Sequence, residues 1–279
     1  MCDKYIFKSY GYKVISLNNI NDITQNKNSN NVYSYKNVRF LLKTLEKNDT
    51  LVISFHGAVK SNNNGLNKII FRGYNIPESL CDTLCISDAL MNIYKHYSCN
   101  WYLSTNKYNF EPTYQEIIKY IISMKKYKNV IFTGTSAGAY PALLYASLFN
   151  KTALLGNPIL YPEIYGLDRL KKNKIVHYYK HKQLLNENND ELLYNEKDIE
   201  KNLLENKPDK IIYYQNIKDG HFDTSCMPFI NFIKGTNIDI SLKLFNPKCT
   251  VPFKKQHSIV FPYGGLLDTI TIIMNNLKI

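Results

Sequence analysis

The feature that most constrains this chain is Gly134-Thr135-Ser136-Ala137-Gly138, set between the apolar run Asn129-Val130-Ile131-Phe132-Thr133 and a segment from Ala139 to Leu148 that reads as a helix. The five residues fit G-x-S-x-G, and a strand before with a helix after is the context in which that pattern makes a nucleophile elbow. Reversing so tightly forces the serine into strained backbone angles, and the positions two before and two after must be small. Gly134 and Gly138 meet that demand. The turn lifts the Ser136 hydroxyl above the sheet edge and puts the Ala137 N–H at a helix N-terminus, where orphan donors and the helix dipole favour a developing oxyanion. In isolation the five residues would favour a phosphate-holding loop or a glycine turn without chemistry; the flanking strand and helix reverse that preference toward the nucleophile.

Around the elbow, strand-like and helical runs alternate. Leu51-Val52-Ile53-Ser54-Phe55 is a continuous apolar run that suits a strand buried on both faces. Further strands are expected at Val14–Leu17, Ile69–Phe71, Thr83–Ser87, Ala153–Gly156, Ile211–Gln215 and Ile238–Phe245. Helices are expected over 37–47, 111–126 and 266–277. Residues 1–50 read as an N-terminal edge hairpin, formed by Tyr5–Phe7 and Val14–Leu17, followed by a helix, and 160–208 as a mostly helical cap insertion in one domain spanning 1–279. The expected fold class is α/β, with a mostly parallel central sheet and helices on both faces.

A serine hydroxyl is a poor nucleophile at neutral pH, so it needs a general base, and the base needs a carboxylate to hold its tautomer. In the order Ser, acid, His, the acid follows a strand after the cap and the histidine follows the last strand. The acid window is Gln215 to Asp223, where Asp219 stands at the strand-end turn and Asp223 is the alternative; His221 between them is either a group behind the triad or plain surface. The base window holds a single histidine, His257. A second oxyanion donor is expected from Phe55-His56-Gly57-Ala58, with Gly57 allowing close approach and the Ala58 N–H donating. His56 and Gly57 would then adjoin the substrate, although a loop histidine hydrogen-bonded to backbone is the plainer reading of His56. Trp101, among Tyr94, Tyr97 and Tyr102, could stack on a sugar ring or simply pack in the core. His177 and His181 have i, i+4 spacing but lack the glutamate of H-E-x-x-H and a third ligand, so no metal is expected, and the chemistry requires no cofactor.

Together, the H-G loop, the serine elbow, the late aspartate and the later histidine resemble the α/β-hydrolase fold from about Leu51 to the C-terminus. More narrowly, Phe55-His56-Gly57-Ala58, Ile86-Ser87-Asp88, Trp101-Tyr102-Leu103, the elbow and Tyr214-Gln215-Asn216 with Asp219 resemble bacterial hydrolase-like proteins associated with glycan modification and accessory secretion systems. The resemblance implies acyl transfer on sugars: Ser136 as nucleophile, His257 as base, Asp219 as its orienter, and Ala58 and Ala137 as the oxyanion hole. One departure is Gln256, where a glycine more often precedes the histidine.

Two function classes follow: a serine esterase or acyltransferase acting on a small-molecule or glycan ester, or a catalytically silent binding subunit of a glycosylation or secretion complex, with protein partners. The intact serine, aspartate and histidine favour the first. The net charge of +12 could suit nucleic acid, but the lysines are dispersed among asparagines and tyrosines and no recognition motif accompanies them, so no nucleic-acid partner is expected. At 44% hydrophobic and 21% charged residues, disorder, collagen and coiled coil are excluded. No apolar run approaches the ~18–20 residues needed to span a bilayer, and no signal-like stretch follows Met1, so a soluble cytoplasmic protein with free thiols is expected.

Overall fold

The computed structural model describes residues 13–23, 31–59, 70–94, 99–162, 186, 190–193, 198–247, 253–262 and 265–277. Strands β1 (Lys13–Leu17), β2 (Asn31–Tyr35), β3 (Val38–Lys43), β4 (Thr50–Phe55), β5 (Asp82–Ile86), β6 (Ser104–Thr105), β7 (Asn129–Thr135), β8 (Thr152–Gly156), β9 (Leu192–Leu193), β10 (Lys210–Asn216) and β11 (Ile240–Phe245) are joined by α1 (Leu90–Ile93), α2 (Glu111–Ser123), α3 (Ala139–Leu148), α4 (Asp198–Glu205), α5 (Met227–Ile233) and α6 (Leu266–Leu277). Among the described residues the main sheet runs β1-β2-β3-β5-β4-β7-β8-β10-β11, and β6 and β9 form a separate antiparallel pair. Within the main sheet, as described, only β3 runs against its neighbours; the other adjacent pairs are parallel.

The apolar runs explain the layering. Every residue of β4 is buried, and its alternate side chains enter different cores. Leu51, Ile53 and Phe55 join the larger cluster, which includes Ile117, Ile118 and Ile121 of α2 and Leu143 of α3. Val52 joins Ile131, Leu154 and Tyr214 under Ile270, Ile273 and Met274 of α6. A parallel strand covered on both faces has no polar side to display, so its sequence shows no alternation.

The helix expected over 37–47 is instead strand β3. Lys36 and Asn37 both have positive φ, 44° and 67°, and make a two-residue turn that pairs Tyr35 with Val38 in an antiparallel hairpin. Val38, Phe40 and Leu42 face one core while Leu41 faces another with Val32, Phe71 and Cys85, so burial on both sides hides the period of two. The run at 69–71 is also no strand where it is described: Ile70 and Phe71 are irregular, with Phe71 buried. The strand expected at Tyr5–Phe7 lies outside the described residues, as do most of 160–208 and the histidines His177 and His181. Because β4, β7, β10 and β11 are parallel, the loops that leave their C-terminal ends gather along one sheet edge, the position where ligands bind in open α/β sheets.

Candidate active site

Ser136 follows β7 directly, with φ of +55°, a left-handed conformation that non-glycine residues adopt at a cost. The glycines around it are required by contact. A Cβ on Gly134 would overlap the carbonyl of Gly138, and a Cβ on Gly138 would lie 2.6 Å from the carbonyl oxygens of Phe55 and His56. The residues Ser136–Gly138 form a short 3-10 turn that leads into α3.

The remote partners converge on this serine. His257 Nε2 lies 2.8 Å from Ser136 Oγ, and its Nδ1 lies 2.7 Å from Asp219 Oδ2. With the Nδ1–H donated to the carboxylate, Nε2 is left to accept the hydroxyl proton. The Asp219 side chain is fully buried and that of His257 is 30% exposed, so the carboxylate is shut away from solvent while the imidazole reaches the surface. Burial alone would raise the Asp219 carboxyl, but hydrogen bonds from His221 and His257 and their charge hold it well below the usual carboxylate range. Asp223 is exposed and is not the acid that meets His257. Among the described residues, Asp219, His221 and His257 are also the one set whose donor atoms cluster closely enough for a metal ion, but those atoms are engaged with one another.

The histidine loop is held by residues to which the sequence reading gave no role. The Asn157 amide donates to the carbonyls of His257 and Ile259, and its oxygen accepts the backbone N–H of Asn216. The Asn216 amide in turn donates to the carbonyl and side-chain oxygen of Gln256. Gln256, the departure from the commoner glycine, is thus a buried anchor of the loop. Only Asn157's φ of 42° and its place just past β8 could have signalled this, and φ is not visible in a sequence.

The loop that follows β4 is similarly braced. Gly57 packs against the elbow, where a Cβ would stand 2.6 Å from Thr135 O and 3.3 Å from Ser136 Cβ. His56 is buried rather than lining a substrate space: its Nε2 accepts the Asp88 N–H at 3.2 Å, so the ring proton is on Nδ1, which donates to Gly57 O at 2.8 Å. Burial lowers the His56 pKa to about 4, against a smaller upward pull from the Gly57 carbonyl, so the ring is neutral. In a trans peptide the N–H points opposite to the C=O, so fixing Gly57 O also fixes the direction of the Ala58 N–H. The plainer reading of His56, a loop histidine hydrogen-bonded to backbone, is the arrangement found, and the ring shapes the loop.

For Trp101 the core-packing alternative is the arrangement found. It is 2% exposed and sits with Tyr102 in a turn where both have positive φ, 53° and 59°. The Asp88 carboxylate accepts the N–H groups of Asn100 and Tyr102, and Tyr102 Oη donates to Ile86 O while accepting the His56 N–H. Trp101 lines a cavity of about 260 Å³ with Tyr140, Leu144 and Lys201, and no triad residue opens into it. Asp88 itself closes β5 as a loop cap, its pKa raised to about 6 by burial against the pull of the N–H groups it accepts.

No protein-family model matches the chain, and no curated protein matches it in sequence. Solved structures do match. The capsule O-acetyltransferase of Neisseria meningitidis serogroup A is similar over 88% of this chain and 94% of its own, at 14% identity and a TM-score of 0.55. FphF, a fluorophosphonate-binding serine hydrolase of Staphylococcus aureus, is similar over 85% and 92%, at 11% identity and a TM-score of 0.51. The glycosylation associate protein complex Gap123 of Streptococcus agalactiae is similar over 75% of this chain and 40% of that chain, at 16% identity and a TM-score of 0.52. At such identities the likeness is one of fold. No helix among the described residues is long and apolar enough to cross a membrane. The mostly parallel sheet, the serine elbow at its edge and these neighbours together show that the chain has an α/β-hydrolase-like fold.

Proposed function

We propose that this chain is a serine esterase or acyltransferase that works through an acyl-enzyme on Ser136. The observation that carries the reading is the unbroken hydrogen-bonded line from Ser136 Oγ through His257 to the buried Asp219. As Oγ attacks the acyl carbonyl, His257 Nε2 takes its proton, and the carbonyl oxygen becomes an anion that accepts N–H groups from Ala137 and Ala58. Asp219 stabilises the imidazolium. Collapse of the tetrahedral centre expels the alcohol, which receives the proton from Nε2, and the acyl group remains on Oγ. Water or a second alcohol then repeats the sequence and releases it. The likeness to a capsule O-acetyltransferase and to a glycosylation-associated complex supports a carbohydrate as the alcohol, with protein partners in glycan modification.

The test is active-site labelling. A fluorophosphonate should add covalently to Ser136 in the folded protein, read by intact and peptide mass, and Ser136→Ala should abolish the adduct. A folded wild type that takes no label would instead favour a catalytically silent binding subunit.

A further inference from the structure

We propose that His221 is a positioning residue of the triad: its ring and its backbone together hold one oxygen of Asp219, so that the carboxylate presents the other to His257. The proposal rests on the triad reading above. A carboxylate tied only to His257 could rotate about its last side-chain bond and still be hydrogen-bonded, with the imidazole following it away from the serine. Here Oδ1 accepts both the His221 backbone N–H, at 3.2 Å, and His221 Nδ1–H, at 2.9 Å, while Oδ2 is left to His257.

His221 is well placed to keep that grip. Its side chain is 10% exposed, and its ring stands edge-on to the ring of His257, with centroids 4.5 Å apart and planes at 66°. The two Nδ1 atoms lie 3.2 Å apart because each points at its own oxygen of one carboxylate. Directly after His221 the chain makes a π-helical turn, Phe222–Cys226, whose Cys226 N–H reaches back to the His221 carbonyl, a wide turn that is often found where a functional side chain must be aimed. The loop is closed further by Asp219 N–H to Asn216 O and Phe222 N–H to Asp219 O.

The arrangement also has an electrostatic sign. Each hydrogen bond His221 gives to Asp219 draws charge from the carboxylate that stabilises the His257 imidazolium, and any positive charge on His221 opposes that imidazolium directly. Both effects act in one direction. Among the described residues Cys226 and Tyr213 also interact with Asp219, and both are neutral because burial pushes them up; Lys218 and the exposed Asp223 are the charged side chains of the same loop, and Ser136 is the group on the far side of His257.

The experiment measures the second-order rate of fluorophosphonate labelling from pH 5 to 9 for wild type, His221→Ala and His221→Asn, each checked for folding by near-ultraviolet circular dichroism. Labelling of the wild type at Ser136 establishes the triad reading independently of what His221 does. His221→Ala should then label roughly 10- to 100-fold more slowly, the size of loss that follows removal of an outer hydrogen-bond partner from a metal-binding histidine, with its acid limb moved to higher pH. His221→Asn, whose amide N–H can stand near the place of Nδ1–H, should recover most of the rate. A His221→Ala rate within twofold of wild type overturns the proposal. So does a uniform loss across pH that asparagine fails to restore, which is the signature of a role in packing alone.

Discussion

Replacing Asp219 by asparagine exposes the logic of this site, because the effect depends on which way the new amide turns. An amide has one accepting oxygen and one donating nitrogen, whereas the carboxylate has two acceptors. At Asp219 the Oδ1 position meets two donors from His221, and the Oδ2 position meets one from His257. The amide oxygen is therefore best satisfied at Oδ1, which turns the NH2 toward His257 Nδ1. That nitrogen must then accept, its proton moves to Nε2, and Nε2 faces Ser136 as a donor instead of a base. A wrong-tautomer imidazole lowers turnover by about 10⁴ in a serine triad, equivalent to about 5.5 kcal/mol of transition-state stabilisation.

The assay is the fluorophosphonate labelling rate together with hydrolysis of an activated acetyl ester, on protein of unchanged near-ultraviolet circular dichroism. An Asp219→Asn protein within about tenfold of wild type in both would refute the tautomer argument. The structure also predicts a non-additive pair. With His221→Ala in place, Oδ1 meets only a backbone N–H, and the amide is freer to offer its oxygen to His257. The double variant should therefore be more active than Asp219→Asn alone; a product of the two single losses would show that the amide orientation is set by something else.

Gly57→Ala should lower turnover by at least about 10², because its Cβ would press on Thr135 O and displace the Ala58 N–H from the oxyanion; steady-state kinetics on the activated ester, with wild-type-like values counting against the placement, decide it. Ser136→Gly should be more stable than Ser136→Ala by about 1 kcal/mol in chemical denaturation, since only glycine relieves a φ of +55°; equal stabilities would mean the elbow holds no strain there. His56 should make folding pH-dependent. Its folded pKa, lowered to about 4 by burial, lies below the unfolded value of 6.5, so the unfolded chain binds the proton first. The contribution is intact above pH 6.5 and is lost as pH falls toward 4, by about 3 kcal/mol in all. The stability gap between wild type and His56→Asn should narrow over that window, and a gap that stays constant would contradict a buried neutral ring.

The elbow was legible because its causes are local. A strand, two obligatory glycines, a serine and a helix follow one another in the sequence, and the glycine positions match the contacts that exclude a Cβ. The meeting of Asp219 and His257 at Ser136 was legible through chain order: parallel strands deliver their C-terminal loops to one edge, so a polar residue just past a late strand has few places to go. Strand β3 was misread because its two faces meet two cores, and an apolar run buried on both sides carries no period to separate strand from helix.

Side-chain partnerships between distant segments belonged to the tertiary structure. Asn157, Asn216 and Gln256 clamp the base loop across separations of 40 to 102 positions, and an asparagine in a loop looks the same in sequence whether it anchors a histidine or faces water. Trp101 and His56 carried the chemistry of ligand contacts, but packing turned both inward, where one fills the core and the other fixes a peptide plane. The sequence by itself determined which residues could react and the order in which strands would present them. Folding decided which oxygen each imidazole holds, because hydrogen-bond geometry is set by the approach of remote backbone segments and leaves no trace in residue spacing.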